Sequence, residues 1–227
     1  MKKAFTLAEV LIVVVVIGIV SAIALSILII NHRNAGLASR FAKVYSTLSQ
    51  SVKQQEAMEG ALTNWQWSSG EQVYRDYLSK SFSIMRYCQP NEAGCSSDVE
   101  YSYLSGGKVS NPFPPAVFRV ISSDGAIWAV GVNKNCQLNG YYCALVRVDV
   151  NGEAKPNKYG RDVFSFYILP YTNEVRPEGL YKFGSRYNGR WEENSSAEIE
   201  KDCGKDGGGL LCGAKIVRDG FKISYIV

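Results

Sequence analysis

Residues 1–20 read MKKAFTLAEVLIVVVVIGIV. Two lysines, Lys2 and Lys3, and a small residue, Ala4, lead into an apolar run that begins at Phe5 and continues to Ile30. Of those 26 residues, 18 are Phe, Leu, Ile or Val, and the single charge is Glu9. A bilayer core takes about 20 apolar residues in a helix, so the run is long enough to span. At roughly −0.3 to −0.6 kcal/mol for each such residue, insertion sums to about −5 to −11 kcal/mol. One acid costs on the order of 3 kcal/mol at the bilayer centre and less near the edge, where Glu9 stands. Insertion wins, but an acid that is merely tolerated still needs a reason.

Two ways of processing fit the run. An ordinary secretory signal pairs a positive start with about 7–15 apolar residues and a small-x-small cut site. Ser21 to Ala24 (SAIA) supplies such a site, yet LSILII carries the apolar run past it. A cut between Ala4 and Phe5 would instead remove the lysines and leave the helix on the mature chain.

The stretch KKAFTLAEVLI resembles the leader and start of type IV pilin-like proteins, the pilins and the type II secretion pseudopilins. The match covers about a dozen residues and requires charge, Phe and Glu in register. The resemblance implies that a prepilin peptidase cuts at Ala4/Phe5, that Phe5 is N-methylated, and that Glu9 serves assembly. A small residue, Ala4, stands where the family usually has Gly, and Ser26 stands where many relatives carry a helix-breaking Pro. Gly18 and Ser21 are then the points where the helix would locally unwind. A buried carboxylate needs a partner or a proton. The family's partner is the free amino terminus of a neighbouring subunit.

After residues 31–34 (NHRN) the pattern turns amphipathic: Leu37, Phe41, Val44, Tyr45, Leu48 and Val52 recur at three- and four-residue steps. Gly60 is a stop signal. One helix from Phe5 to Glu59 would be about 80 Å long. The expected division is a leader over 1–4, a membrane or filament-core helix over 5–30, its amphipathic continuation over 31–60, and a head over 61–227. Strand signals dominate the head: two strands around Ser123-Asp124-Gly125, a third running into Asn151-Gly152, and DVFSFYIL as a half-buried strand with Phe164, Phe166 and Ile168 on one face. The tail reads as a hairpin turning at Asp219-Gly220. The fold class is α+β, a long N-terminal helix packed on a mostly antiparallel sheet. VDVNGEAKPNKYGRDVFSFYI and CGAKIVRDGFKI are similar to features of a pseudopilin-like subgroup with a cysteine-containing head.

The six cysteines allow 15 connectivities. The short polar loops favour Cys88 with Cys95, Cys136 with Cys143, and Cys203 with Cys212. A loop of eight residues stabilises by about 2.5 kcal/mol in the chain-entropy account. Such bridges put the head on the oxidising side of a membrane. The spacings are wider than zinc's usual close pairs.

Candidate chemistry is sparse. Asp149 and Asn151 before Gly152, with Asp162 if the loop folds back, are candidate calcium ligands, although an ordinary turn explains DVNG more simply and an EF-type loop needs a third oxygen residue. No other cofactor is indicated. GKDGGGL lacks the tail of a phosphate loop and reads as a flexible disulfide loop. The one histidine, His32, sits at the expected membrane exit, so no Ser/His/Asp or Cys/His set can form in the head. Glu192, Glu193, Glu198 and Glu200 read as a solvated surface. A net charge of +4 with scattered basic residues gives no strong nucleic-acid signal.

The sequence therefore describes a filament subunit, not an enzyme. The expected partners are the prepilin peptidase, other pilin copies, an inner-membrane assembly platform and membrane lipid. The location is the inner membrane with the head periplasmic or extracellular, then a filament. The competing expectation is a membrane-tethered or secreted binding protein or hydrolase that the N-terminus only delivers.

Overall fold

The computed structural model describes residues 6–89, 92, 99–114, 117–134, 136, 142–182, 186–187 and 190–225. One helix, α1 (Leu7–Glu59), runs unbroken from the apolar segment into the head. It ends at Gly60, whose φ of 85° favours glycine and whose N–H still donates to the Glu56 carbonyl. Every side chain from 6 to 29 is exposed within the chain, and the first buried one is Asn34. From there Ala38, Phe41, Val44, Leu48, Ser51, Val52 and Gln55 form a buried stripe at helical spacing.

A short linker follows: α2 (Gly70–Val73) widens into a π turn (Tyr74–Leu78) and a 3-10 turn (Ser79–Ser81). The main sheet holds β1 (Ile84–Cys88), β4 (Arg119–Ser122), β5 (Ile127–Val132), β6 (Ala144–Asp149), β7 (Val163–Leu169) and β8 (Glu174–Pro177), in that order and antiparallel throughout. β2 (Tyr101–Ser102) pairs with β3 (Lys108–Val109), and β9 (Arg186–Tyr187) pairs with β10 (Arg190–Trp191).

Register explains how the sheet meets the helix. Trp128, Val148 and Phe164 are cross-strand neighbours, as are Val130, Val146 and Phe166. With a side-chain period of two, these residues all point to one face, and that face carries the core shared with Phe41, Val44 and Leu48. Phe41 meets the Phe164 ring edge-on at 4.7 Å and lies 5.6 Å from Phe166. Such pairs add about 0.5–1.5 kcal/mol beyond area burial.

Two expectations are corrected. DVFSFYIL is not half-buried: all seven residues of β7 are buried. Its second face is covered by Tyr101, Phe113 and Tyr159 against Val163, and by Tyr142 and Tyr181 against Tyr167 and Leu169. The tail is not a hairpin. Cys212–Arg218 is a helix (here α4, after α3 at Ser196–Asp202), and Asp219-Gly220 closes it. The Phe221 N–H donates to the Ile216 carbonyl and the Gly220 N–H to Val217, with Gly220 at φ 68°, which is a Schellman C-cap.

Candidate functional site

The cut-site residues Ala4 and Phe5 lie outside the described residues. The described chain begins with the helix's own N-cap, Thr6. Its hydroxyl accepts from the Glu9 N–H at 3.3 Å. In return one Glu9 carboxylate oxygen accepts from the Thr6 N–H and from the Thr6 hydroxyl, both at 2.8 Å. This is a reciprocal capping box, and such a cap contributes about 1 kcal/mol. It folds the Glu9 carboxylate back over the first turn, toward the place where the preceding residue joins the helix.

Thr6 was not singled out as functional by the sequence reading. Its signal was present all the same, a Thr with Glu three residues on, ahead of an apolar run. Gly18, Ser21 and Ser26 are all helical, and the Ser26 hydroxyl donates back to the Ala22 carbonyl at 3.0 Å. The helix runs on through Ser26, where a Pro would remove a backbone N–H and break it.

In the head, Cys136–Cys143 and Cys203–Cys212 are bridged, with Cα separations of 4.9 and 5.4 Å. Cys88 is also disulfide-bonded, while Cys95 falls outside the described residues. The second bridge removes a rival metal set: Asp202, Cys203 and Cys212 bring their ligand atoms within 4.8 Å. Their sulfurs are spent on each other, and the Asp202 carboxylate accepts from the N–H groups of Gly208 and Leu211. GKDGGGL is therefore tightly packed. A Cβ on Gly209 would sit 2.3 Å from the Tyr159 carbonyl oxygen, and one on Gly207 would sit 1.9 Å from that of Asp202.

Asp149, Asn151 and Asp162 do come together. Asp149 ends β6, Asp162 precedes β7, and the Val150 N–H donates to the Asp162 carbonyl at 2.8 Å. Both carboxylates are fully buried. Asp162 accepts from the N–H groups of Asn157 (2.8 Å) and Lys158 (2.6 Å). Asp149 accepts from the Tyr101 hydroxyl at 3.2 Å and the Asn151 N–H at 3.2 Å. Burial, and after it the charge of Asp162, pushes Asp149 up to about 8; burial pushes Asp162 up to about 6. The carboxamide oxygens of Asn151 and Asn157 are buried with no hydrogen-bond partner. Asn157, which the sequence reading passed over, belongs to the same turn and is itself only 6% exposed. The set is all hard oxygen, the donor type that calcium takes.

The acidic stretch is solvated but organised. Glu198 caps α3 through Ser195 and pairs with Lys182 at 3.0 Å, which with the cap holds its carboxyl down at about 2. Glu193 pairs with Arg176 and Arg218, both at 3.1 Å. His32 is exposed at the end of the apolar segment.

These observations define a class: a type IV pilin-like chain, with an apolar helix led by a prepilin-type motif and a disulfide-stapled antiparallel head. The model of the prokaryotic N-terminal methylation motif matches residues 1–25. Residues 27–225 match the model described as a family of unknown function, DUF6613, and the chain belongs to that family. No match was found among curated proteins or among solved structures. The apolar helix and the motif together fit single-pass anchoring in the inner membrane.

Proposed function

We propose that the chain is a structural subunit of a type IV pilus-like or type II secretion filament. Prepilin peptidase trims it between Ala4 and Phe5, Phe5 is methylated, and the assembly platform extracts it from the membrane. Apolar helices then pack at the filament core. Glu9 pairs there with the amino terminus of an adjoining copy, and the head faces outward. No enzymatic step belongs to this reading beyond what the peptidase does to the chain.

One observation carries it. A helix uncovered from 6 to 29 holds a single acid, already turned toward its own N-terminal end by Thr6. A delivery signal needs no such acid. Mass spectrometry of the mature chain tests the processing: the reading expects a start at Phe5 with one added methyl group. An intact Met1, or a start beyond Ser21, overturns it.

The orphaned Asn157 oxygen supports a second element. Asp149, Asp162, Asn151 and Asn157 would hold a calcium ion, which would offset the repulsion between the two carboxylates and tie the end of β6 to the start of β7.

A further inference from the structure

We propose that a small cavity between α1 and the sheet binds a single sugar ring. The cavity measures about 140 Å³ and opens where three segments converge: Lys43 and Thr47 on α1, Ser83 just ahead of β1, and Ser123-Asp124 in the turn from β4 to β5. Lys43 and Thr47 stand four residues apart and so share one face of the helix. The Ser123 N–H donates to the Ser83 carbonyl at 2.8 Å, which fixes the other two segments side by side.

Lys43 Nζ donates to Asp124 at 2.7 Å, so the rim carries no net charge. The other Asp124 oxygen accepts from the Ser122 hydroxyl at 2.6 Å, and that hydroxyl accepts from the Trp128 indole N–H at 3.1 Å. Asp124 is thereby held in place, while Lys43 keeps two further N–H donors. Ser81 spends its hydroxyl on Gln54. Among the described residues, those of Thr47, Ser83 and Ser123 have no protein partner. A helical hydroxyl residue can bond the carbonyl four residues back, as Ser26 does to Ala22, but Thr47 leaves its hydroxyl to the cavity. Phe82 and Trp128, edge to face with centroids 4.6 Å apart, supply an apolar wall.

The ligand that fits is neutral, carries several hydroxyls at short spacing and has one face of C–H groups. Its hydroxyls can donate to and accept from Thr47, Ser83 and Ser123, and Lys43 can donate to its ring oxygen. Its C–H face lies against the aromatic wall. An anion would meet an ammonium already neutralised by Asp124, and a wholly apolar ligand would leave three hydroxyls dry. At about 10–15 Å³ for each water-sized group, there is room for on the order of ten heavy atoms, a ring and not a chain.

The test is saturation-transfer NMR on the full-length chain in a zwitterionic, sugar-free detergent. The probes are the methyl glycosides of glucose, galactose and N-acetylglucosamine, and at least one should bind at millimolar concentration. The triple variant Thr47→Val, Ser83→Ala, Ser123→Ala should weaken that binding about tenfold or more, the loss expected for several hydrogen bonds. Lys43→Met should weaken it too, whereas Ser49→Ala, outside the cavity, should not. All are surface changes, so head melting should stay where it is. A disaccharide of the same sugar that binds more tightly than the glycoside would place a glycan end in the cavity, and equal binding would place the free sugar there; both support the proposal. No binding of any glycoside overturns it, as does binding that survives the triple variant. Displacement of the glycoside by inorganic phosphate would assign the cavity to an anion and overturn the sugar. The assay needs neither cleavage nor polymerisation, so its failure is distinct from failure of the filament reading.

Discussion

The two halves of α1 are one continuous helix in two different solvents. From 34 to 55 it buries Phe41, Val44, Leu48 and Val52 against the sheet, with polar residues on the other side. From 7 to 29 it buries nothing, and Val, Ile and Leu point in every direction. A helix that is amphipathic matches a core with one wet side; a helix that is apolar all round matches lipid or a bundle of its own kind. The fold of the head therefore depends on one half, and the proposed assembly on the other.

The largest separation between the halves should come from pH. Asp149 is raised far above its unfolded value by burial and by Asp162. A carboxyl raised in the folded state stabilises fully below about pH 4 and loses that contribution as pH rises through about 8. Thermal melting of the full chain in micelles, without calcium, should show head stability falling by several kcal/mol between pH 5 and pH 9. Millimolar calcium should flatten that fall. A calcium-free head equally stable across this range contradicts the buried pair, and calcium without effect contradicts the metal reading. The apolar half contains no titrating group other than Glu9, so its helicity should not follow the same curve.

A matched pair of truncations sharpens the contrast. Phe41→Ala removes a fully buried ring between Phe164 and Phe166 and should cost about 3–5 kcal/mol of head stability. Val13→Ala, at a side chain 53% exposed within the chain, should change head melting by less than about 0.5 kcal/mol. Comparable losses would mean that the two halves are not independent.

How much of this was legible varied along the chain for physical reasons. The helix, its stop at Gly60, the buried stripe and the four central strands β4 to β7 follow from period and punctuation, which are local; the outer strands β1 and β8 were not read from the sequence. The second face of β7 did not, because Tyr101 from β2 and Tyr142 and Tyr181 from connecting segments cover it, which no local pattern shows. Asp219-Gly220 misled because a left-handed glycine closes a helix as well as a hairpin, and only the Phe221-to-Ile216 bond tells them apart. The glycines of GKDGGGL looked flexible, but Gly207 and Gly209 make room for the backbone packed against them. At the proposed site, Asp149, Asn151 and Asp162 could be read from their motif, whereas Asn157 acquires meaning only once the turn has folded.

The smallest effect concerns the cap. Thr6→Ala removes a hydroxyl that bonds Glu9 in both directions and should cost about 1 kcal/mol in the first turn alone. Amide exchange at residues 7–10 should then quicken about fivefold while the head melts as before. Unchanged exchange would show that Glu9 is held by something other than Thr6.

The central claim is that Glu9 is retained to pair with an adjoining copy, not to deliver the chain. Glu9→Gln keeps the shape and the apolar helix but removes the charge. In the native host the variant should still insert and be cleaved at Phe5, while the yield of polymer falls at least tenfold. Polymer at the wild-type yield would contradict the account.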